Sequence, residues 1–509
     1  MHCIFVRMKI FLADKIKALD SFTIQEQQIS SWDLMERAAE KLAEYFIKKY
    51  NTSFQVHIFC GKGNNGGDGL ALARILKEKN YHVKVFVINH TEKCSSDFDI
   101  NLKKLEKSNV EFINTIADFK MQMDLNTIAI DALLGTGISK PVEGLLKEVI
   151  QTINKHYKNI ISIDVPSGLF IDKMNDRDHA VVNATHTLTF QFPKLSFLFP
   201  ENYKFTGDIQ ILDIGLSDNY IQSTASDFLA IDKLIIQSFL KKRNKVGSKW
   251  DFGHCLLICG SKLMPGAANI AVKSALKSGC GMVTLHSVNN VISTTAYQSN
   301  ECILSEDKNE NFISDIPDLK KYQSIGVGCG IGVNDNTLHA LQQLLSHKNQ
   351  SQKLVIDADA LNLLAINQQL LNLLPKNTIL TPHVKEFDRM FGTSENHYER
   401  LQKAKLIAKE KQVIIVLKSA YTAVVLPSES VYFNIHSEAA LAKGGSGDML
   451  TGLIVGLLAR GYNEQDACLL AVYLHSLSAH FASQELNQES VLPTDILAFI
   501  HAAFNFLYN

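Results

Sequence analysis

The chain of 509 residues has almost no net charge: 51 basic residues stand against 52 acidic ones, a formal charge of −1. Without bulk basicity nothing draws a phosphate backbone to it, and no nucleic acid is expected as a partner. Cysteine is sparse and odd in number, nine in all, with no CxxC pair. A reduced, cytoplasmic protein is expected, its thiols mostly small core residues. No apolar run near the end approaches the ~20 residues of a membrane span. Met449–Leu458 is much shorter and contains Gly452 and Gly456, so no membrane partner is expected. The opening, MHCIFVRMKIFLADKIKALD, lacks a basic region ahead of its apolar residues and a small-residue cleavage site. Met8 offers an alternative start, since MKIFLADKIKALD reads as a complete opening by itself. No repeat occurs at solenoid periods.

At 46% hydrophobic and 20% charged residues the balance is that of a globular protein. The length suggests about three domains, or two large ones. In the first half, Leu34, Met35, Ala38, Ala39, Leu42 and Phe46 recur at helical spacing within Trp32–Tyr50. A strand at Gln55–Cys60, a helix at Leu70–Lys79 and a strand at His82–Ile88 form a βαβ unit. That order predicts a parallel sheet with helices on both faces, a Rossmann-like three-layer α/β domain. Further strands are expected at Thr127–Asp131, Asn159–Asp164, Thr185–Phe192 and Asp208–Ile214. A polar stretch, Ser217–Asp227, places a boundary near residues 216–228, giving domains at 1–217 and 228–509. The second series has strands at Gly253–Cys259, Met282–Ser287, Ser324–Val327, Leu354–Ile356, Thr378–Leu380, Val413–Leu417 and Thr422–Leu426. A helix is expected at Ala267–Ser278, and Ala439–Leu507 reads as mostly helical.

Three polar loops follow strands in the first half. The longest is Gly61-Lys-Gly-Asn-Asn-Gly-Gly-Asp-Gly69. Glycines there admit a phosphate close to the backbone, a helix start favours an anion, and Asn64 and Asn65 add amide donors and acceptors. The plainer reading is a tight turn with Asn and Gly at positive φ. The pattern is neither GxGxxG nor GxxxxGK[ST], so a standard dinucleotide fingerprint or P-loop is not supported. Asp131 ends a strand and leads into a second glycine loop reaching Gly137; Asp164 ends another and leads into Val-Pro-Ser-Gly168. Ligands of open parallel sheets bind beyond the carboxyl ends of strands, so the three loops would line one crevice. Each aspartate alone would serve equally as an N-cap or turn residue. Asn65, Asp131 and Ser167 offer oxygen ligands with one formal charge, suited to a weakly charged cation rather than zinc.

In the second half Lys443-Gly-Gly-Ser-Gly-Asp448 precedes the apolar helix Met449–Leu458. Glycines at a helix start expose N–H groups to an anion, and the helix dipole adds to them. Asp448 would stand beside that anion hole as a base for a hydroxyl proton during phosphoryl transfer; the plainer reading is a helix cap. Other polar sites fall at strand ends: Gly260–Ala268, Gly326–Gly332, Asp357 and Asp359, Thr381–Glu386, and Lys418–Thr422. Alone, His383 suits a structural hydrogen bond and Lys418 a solvated loop charge. Asp357, Asp359 and Glu386 suit magnesium near phosphates.

LMERAA (Leu34–Ala39), NNGGDG (Asn64–Gly69), DALLGTG (Asp131–Gly137) and DVPSG (Asp164–Gly168) resemble the NAD(P)H-hydrate epimerase domain over residues 10–217. The resemblance implies that Asn64, Asn65, Gly66, Gly67 and Asp68, with Gly135, Thr136, Gly137, Ile138, Ser139, Lys140 and Pro141, bind the hydrated nicotinamide nucleotide. It implies Asp164 as substrate contact and acid/base, and Asn65, Asp131 and Ser167 as ligands of potassium. Lys140 stands where the family usually has arginine, keeping the charge without the bidentate fork. Residues 228–505 resemble the ADP- or ATP-dependent NAD(P)H-hydrate dehydratase, a ribokinase-like α/β fold. The matching segments are DFGHCLLICGS (Asp251–Ser261), PGAA (Pro265–Ala268), DADALN (Asp357–Asn362), TPH (Thr381–His383) and LAKGGSGDMLTG (Leu441–Gly452). Here the resemblance implies that Ala267, Gly330, His383 and Asp448 face the hydrate. Lys418, Ser419, Ala420, Tyr421, Thr422 and Gly447 would hold the nucleotide, with ADP as co-substrate and Mg2+ beside it. Val327, and Val384-Lys385 after the histidine, depart from the family pattern.

The expected function is repair of hydrated NADH and NADPH by two activities, in a homo-oligomer. The alternatives are a small-molecule hydroxyl kinase, which would leave a stable phosphorylated product, and a non-catalytic binding scaffold in the first domain.

Overall fold

Strands of Val, Ile and Phe buried on both faces need a helix layer on each side. In the computed structural model, which describes residues 8–105, 110–119, 126–176, 178–349 and 351–509, two such sheets form in two separate units. One spans Lys9–Ser226; the other spans Asp227–Asn509 and takes in Met8. The residues ahead of Met8, on which the alternative start bears, lie outside the described residues. Met8 itself is tied to the second unit: its carbonyl accepts from the Ala230 N–H at 2.8 Å.

The first unit carries a seven-stranded sheet, in spatial order Val110–Ile113, His82–Ile88, Gln55–Cys60, Thr127–Ala132, Ile160–Ile163, His186–Phe190 and Asp208–Leu212. Every pairing is parallel. Alternate residues of Gln55–Cys60 enter different cores. Val56, Ile58 and Cys60 pack with Leu42 and Phe46 of the helix Ser31–Lys49. Phe59 packs with Val149, Ile150 and Ile153 of the helix Gly144–His156. This is the expected Rossmann-like three-layer arrangement. Ser31–Lys49 starts at a Ser30/Asp33 capping box and buries the residues whose spacing marked it as helical. The polar stretch after Gly215 contains a short helix, Asp218–Ser223, capped by Ser217.

In the second unit the strands run, in spatial order, Phe228–Ile231, Val431–Asn434, Ala423–Val425, Ile414–Leu417, Ile379–Leu380, Lys353–Ile356, Ser324–Val327, His254–Ile258, Met282–Ser287 and Cys302–Glu306. Ala423–Val425 is antiparallel to both neighbours, and the other pairings in this series are parallel. Phe228–Ile231, Val110–Ile113, Cys302–Glu306 and Val431–Asn434 are strands that hydropathy did not single out. Helices Pro265–Lys277, Ser446–Ala459 and Glu464–Glu485 build the large core on this sheet. Gly452 and Gly456 let the first two lie against each other. A Cβ at Gly452 would stand 2.1 Å from Ser274 Oγ, and one at Gly456 2.1 Å from Ser278 Oγ. Among the described residues no helix is long and apolar enough to cross a membrane.

Candidate active sites

The glycine-rich loop of the first unit differs from its expected form. The helix starts at Asn64 rather than Leu70 and runs to Glu78, so NNGGDG is helix rather than a turn at positive φ. Its glycines serve packing. A Cβ at Gly66 would fall 1.9 Å from the Gly61 carbonyl oxygen, one at Gly67 2.7 Å from the Met35 thioether, and one at Gly69 2.6 Å from Ala132 Cβ. Gly66 and Gly67 are therefore closed by the protein itself, whereas Gly63, the N-cap, has no neighbour within 4 Å of its Cβ position. The backbone open to an anion is thus the cap and first turn, where exposed Asn64 stands.

Parallel register brings the strand ends together. Asp131 pairs with Ser162 and is fully buried. Its carboxylate accepts from the Ser162 hydroxyl at 2.7 Å, the Ser167 hydroxyl at 2.5 Å, the Ser167 N–H at 2.8 Å and the Leu133 N–H at 3.3 Å. Burial pushes this carboxyl upward, and those donors hold it down. Asn65 donates Nδ2 to the Ile163 carbonyl at 2.8 Å; its Oδ1 is buried and accepts no hydrogen bond among the described residues. Gly135 opens the second loop against Asn65, 3.3 Å from Asn65 Cβ to a built Gly135 Cβ. Thr136 and Ile138 are half-buried, while Gly137, Ser139, Lys140 and Pro141 are exposed.

Asp164 sits at φ 62°, a left-handed conformation rarely adopted by residues with a side chain. Its Oδ1 takes Lys194 Nζ at 2.8 Å, Thr189 Oγ1 at 3.2 Å and the Phe190 N–H at 3.2 Å. Lys194 was not foreseen. The signal for it was a lone lysine in the apolar run Phe190–Phe199. Asp20, from the helix Ala13–Gln27, was also unforeseen, and no local pattern marks it. Burial, with the charge of Asp164 beside it, pushes Asp20 up to about 7, against the pull of Lys194. Burial and the charges of Asp164, Asp20 and Asp97 raise Asp68 well above the carboxylate range.

In the second unit the glycine run precedes a helix, as expected. Gly445 is the N-cap at φ 100°, and Asp448 lies in the first turn of Ser446–Ala459. Asp448 is therefore not the cap. Cys329 Sγ and the carboxylates of Asp357 and Asp448 lie within 4.8 Å of one another. Burial, then the Asp357 charge, pushes Asp448 up to about 6, while the Cys329 thiol and Lys418 oppose the rise. Asp357 is 1% exposed. Its Oδ1 binds Lys418 Nζ at 2.8 Å and its Oδ2 accepts from Thr451 at 2.7 Å. Lys418 stands 3.9 Å from Glu386 Oε2, and a Cβ at Gly447 would come within 3.3 Å of its Nζ. Lys418 is thus a part-buried ion-pair partner of a buried carboxylate rather than a solvated loop charge, and Asp357 is not free for magnesium. Of the three carboxylates expected near a metal, Glu386 is also engaged: it accepts from the His383 N–H at 2.8 Å. Asp359 Oδ2 accepts from the Gly332 N–H at 2.8 Å.

His383 caps the helix Val384–Phe391, its Nδ1 accepting from the N–H groups of Lys385 and Glu386. Gly330, at φ 66°, faces Ala267 and Met264, with a built Cβ 3.0 and 2.9 Å from theirs. Ser419, Ala420, Tyr421 and Thr422 form the turn after Lys418, closed by Thr422 Oγ1 on the Ser419 carbonyl at 3.1 Å. The structure thus joins Asp448, Gly447, Lys418, Asp357 and Cys329 in one cluster, with Glu386 and His383 at its side. Cys329, adjoining Gly330, is the member that sequence reading missed.

Two α/β units, each with a buried carboxylate system at its strand ends beside a glycine-rich helix start, define a two-site enzyme. Residues 31–196 match the family model described as YjeF-related protein N-terminus, and residues 255–502 the one described as NAD(P)H-hydrate dehydratase. The bifunctional NAD(P)H-hydrate repair enzyme Nnr of Moorella thermoacetica is 30% identical, over 97% of this chain and 96% of that one. Its Escherichia coli namesake is 26% identical, over 97% and 94%. Among solved structures, an ADP/ATP-dependent NAD(P)H-hydrate dehydratase from Bacillus subtilis, co-crystallized with ATP/Mg2+, superposes with a TM-score of 0.50. It is 29% identical and covers 55% of this chain and 98% of its own. The chain belongs to the family of bifunctional NAD(P)H-hydrate repair enzymes.

Proposed function

We propose that the first unit interconverts the R and S hydrates of NADH and NADPH, and that the second returns the S hydrate to NAD(P)H with ADP as phosphoryl donor. The observation that carries the second step is the placement of Asp448. It is a carboxyl pushed up to about 6, in the first turn of a helix that starts in the run Gly444–Gly447. A base poised near neutrality serves a hydroxyl proton better than an ordinary carboxylate does. Asp448 takes the proton of the hydrate hydroxyl as its oxygen attacks the β-phosphorus, and AMP leaves. Phosphate then departs from the ring carbon, a neighbouring ring carbon loses its proton, and the double bond of the reduced nicotinamide forms. The N–H groups of Gly444–Gly447 stabilise the transferring phosphoryl group. Asp357 fixes the direction of the Lys418 ammonium beside it.

In the first unit Asp164 contacts the hydrated ring and, as acid and base, assists loss and return of the group at the hydrated carbon, and the Asn64–Asp68 and Gly135–Pro141 segments bind the nucleotide. Asn65, Asp131 and Ser167 fit potassium: the orphaned Asn65 Oδ1 and the buried Asp131 charge are an oxygen donor set suited to a monovalent cation. When bound, that ion supplies a fixed positive charge beside the reacting ring. Asp359 is the carboxylate that would help hold magnesium beside the nucleotide phosphates, where the ion would offset phosphate charge. The protein works in the cytoplasm as a homo-oligomer.

The test supplies mixed R and S NADH hydrates with ADP, magnesium and potassium, and follows the near-ultraviolet absorbance of the reduced ring. Recovery of the whole mixture supports both assignments, and recovery of the S form alone removes epimerisation. No recovery with ADP or ATP, with a stable phosphorylated product, makes the second unit a hydroxyl kinase. Asp448→Ala is expected to abolish dehydration and spare epimerisation.

A further inference from the structure

Lys194 is 1% exposed, and an ammonium taken out of water is costly unless paired. The sequence builds a place for it. Strand His186–Phe190 ends, Gln191 turns the chain at φ 64°, and Phe192 with Leu195–Phe199 is buried around the lysine. The ammonium reaches back to Asp164 Oδ1 at 2.8 Å and to the Phe190 carbonyl at 3.2 Å, over the Phe192 ring at 5.3 Å. With Thr189 and the Phe190 N–H, Asp164 Oδ1 holds three donors. Asp164 Oδ2 has none among the described residues. The side chain retains 13% exposure.

We propose that Lys194 is the positioning residue of the first site, saturating Asp164 Oδ1 so that Oδ2 alone faces the substrate as the proton-accepting oxygen. This rests on the epimerisation reading of the unit. The pin fixes which lone pair reacts, and it offsets the left-handed backbone at Asp164. The titratable groups facing Asp164 are Asp20, from the helix Ala13–Gln27, and Asp68, from the helix Asn64–Glu78, with Asp97 behind Asp68. Asp20, pushed up to about 7, and Asp68, raised well above the carboxylate range, add to repulsion only as they ionise at higher pH.

The experiment follows R-to-S exchange by chromatography without ADP, so that dehydration is idle, between pH 5.5 and 9 in full-length chain. An opposite charge at this distance moves a carboxyl by ~1–3 units. Lys194→Met is therefore expected to move the acid limb of the kcat profile upward by about one pH unit or more. The loss of kcat is then largest at the acid end of that range and smallest near pH 8.5. Lys194→Arg restores the limb. Thr189→Val, which removes a neutral donor to Oδ1 and leaves no unpaired charge, gives a smaller shift in the same direction, and it carries the test if the methionine variant does not fold. A wild type without exchange overturns the epimerisation reading and the proposal with it. An active wild type whose variants lose kcat equally at every pH, or change only KM, overturns the proposal alone, because that is the mark of a merely structural lysine.

Discussion

Dehydration should titrate with Asp448. Its carboxyl is pushed up to about 6 by burial and by the Asp357 charge. The sign is direct: the base works only when ionised, so rate is lost as pH falls through that value. About nine-tenths of Asp448 is ionised at pH 7 and about one-tenth at pH 5, so kcat/KM should fall roughly tenfold between them. A carboxyl at its ordinary value would lose almost nothing over that range. The perturbation is Asp357→Asn, which keeps the side-chain shape. The reacting oxygens lie within 4.8 Å of one another. At an effective dielectric of ~20, two unit charges that close repel by on the order of 3 kcal/mol. Removing one, with the Lys418 ammonium left in place, should move the acid limb down by at least about one unit. Thr451 keeps a partner in the asparagine. The assay is the initial rate of absorbance recovery from the S hydrate with ADP and magnesium, across pH 5 to 8. A wild-type profile flat from pH 5 to 7 would refute the base assignment. A limb at pH 6 that stays put in Asp357→Asn would refute the electrostatic reasoning and leave burial as the sole cause.

Lys418→Met strands the carboxylate of Asp357, 1% exposed; the second unit should lose about 3–5 kcal/mol, read as the urea midpoint of its unfolding transition, and Asp357→Asn in the same chain should recover part of it. Gly452→Ala places a Cβ 2.1 Å from Ser274 Oγ and 2.2 Å from the Ala271 carbonyl oxygen; prising the two helices apart should cost about 1–3 kcal/mol in the same measurement, with Gly266→Ala, which meets nothing within 4 Å, as the silent control. Replacing potassium by tetramethylammonium at constant ionic strength should slow epimerisation and leave dehydration unchanged; equal rates in both salts would remove the ion from the first site.

The features legible in the sequence are the local ones. The helical stripe of Trp32–Tyr50, the parallel strands and the Gly445–Asp448 helix start are set by neighbours a few residues apart, and the structure has them where the pattern placed them. The purpose of the NNGGDG glycines was harder to see. Their spacing is compatible with a phosphate loop or a turn, and only the distance from Gly66 to the Gly61 carbonyl and from Gly69 to Ala132 shows that Gly66 and Gly69 serve helix-on-sheet packing. Asp357 looked free for a metal because its partner, Lys418, comes from a strand end 61 positions away.

The residues that escaped are those whose chemistry is made by burial across long sequence separations. Asp20 is an unremarkable aspartate in an amphipathic helix until the fold sets it near Asp164 and Lys194. Cys329 is one of several small core thiols until Asp357 and Asp448 close around it. Both sites nonetheless share one construction: a carboxylate whose neighbours include other carboxylates and a single lysine. In the first, Lys194 bonds the working aspartate itself. In the second, Lys418 bonds its neighbour, Asp357, and leaves Asp448 near 6. A lysine on the working carboxylate fixes its direction. A lysine on the neighbour permits the working carboxylate to gain and lose a proton near neutrality. On the proposed roles, the position of one ammonium, a side chain's reach apart, would separate an oriented acid/base at the hydrated carbon from a base matched to a hydroxyl proton.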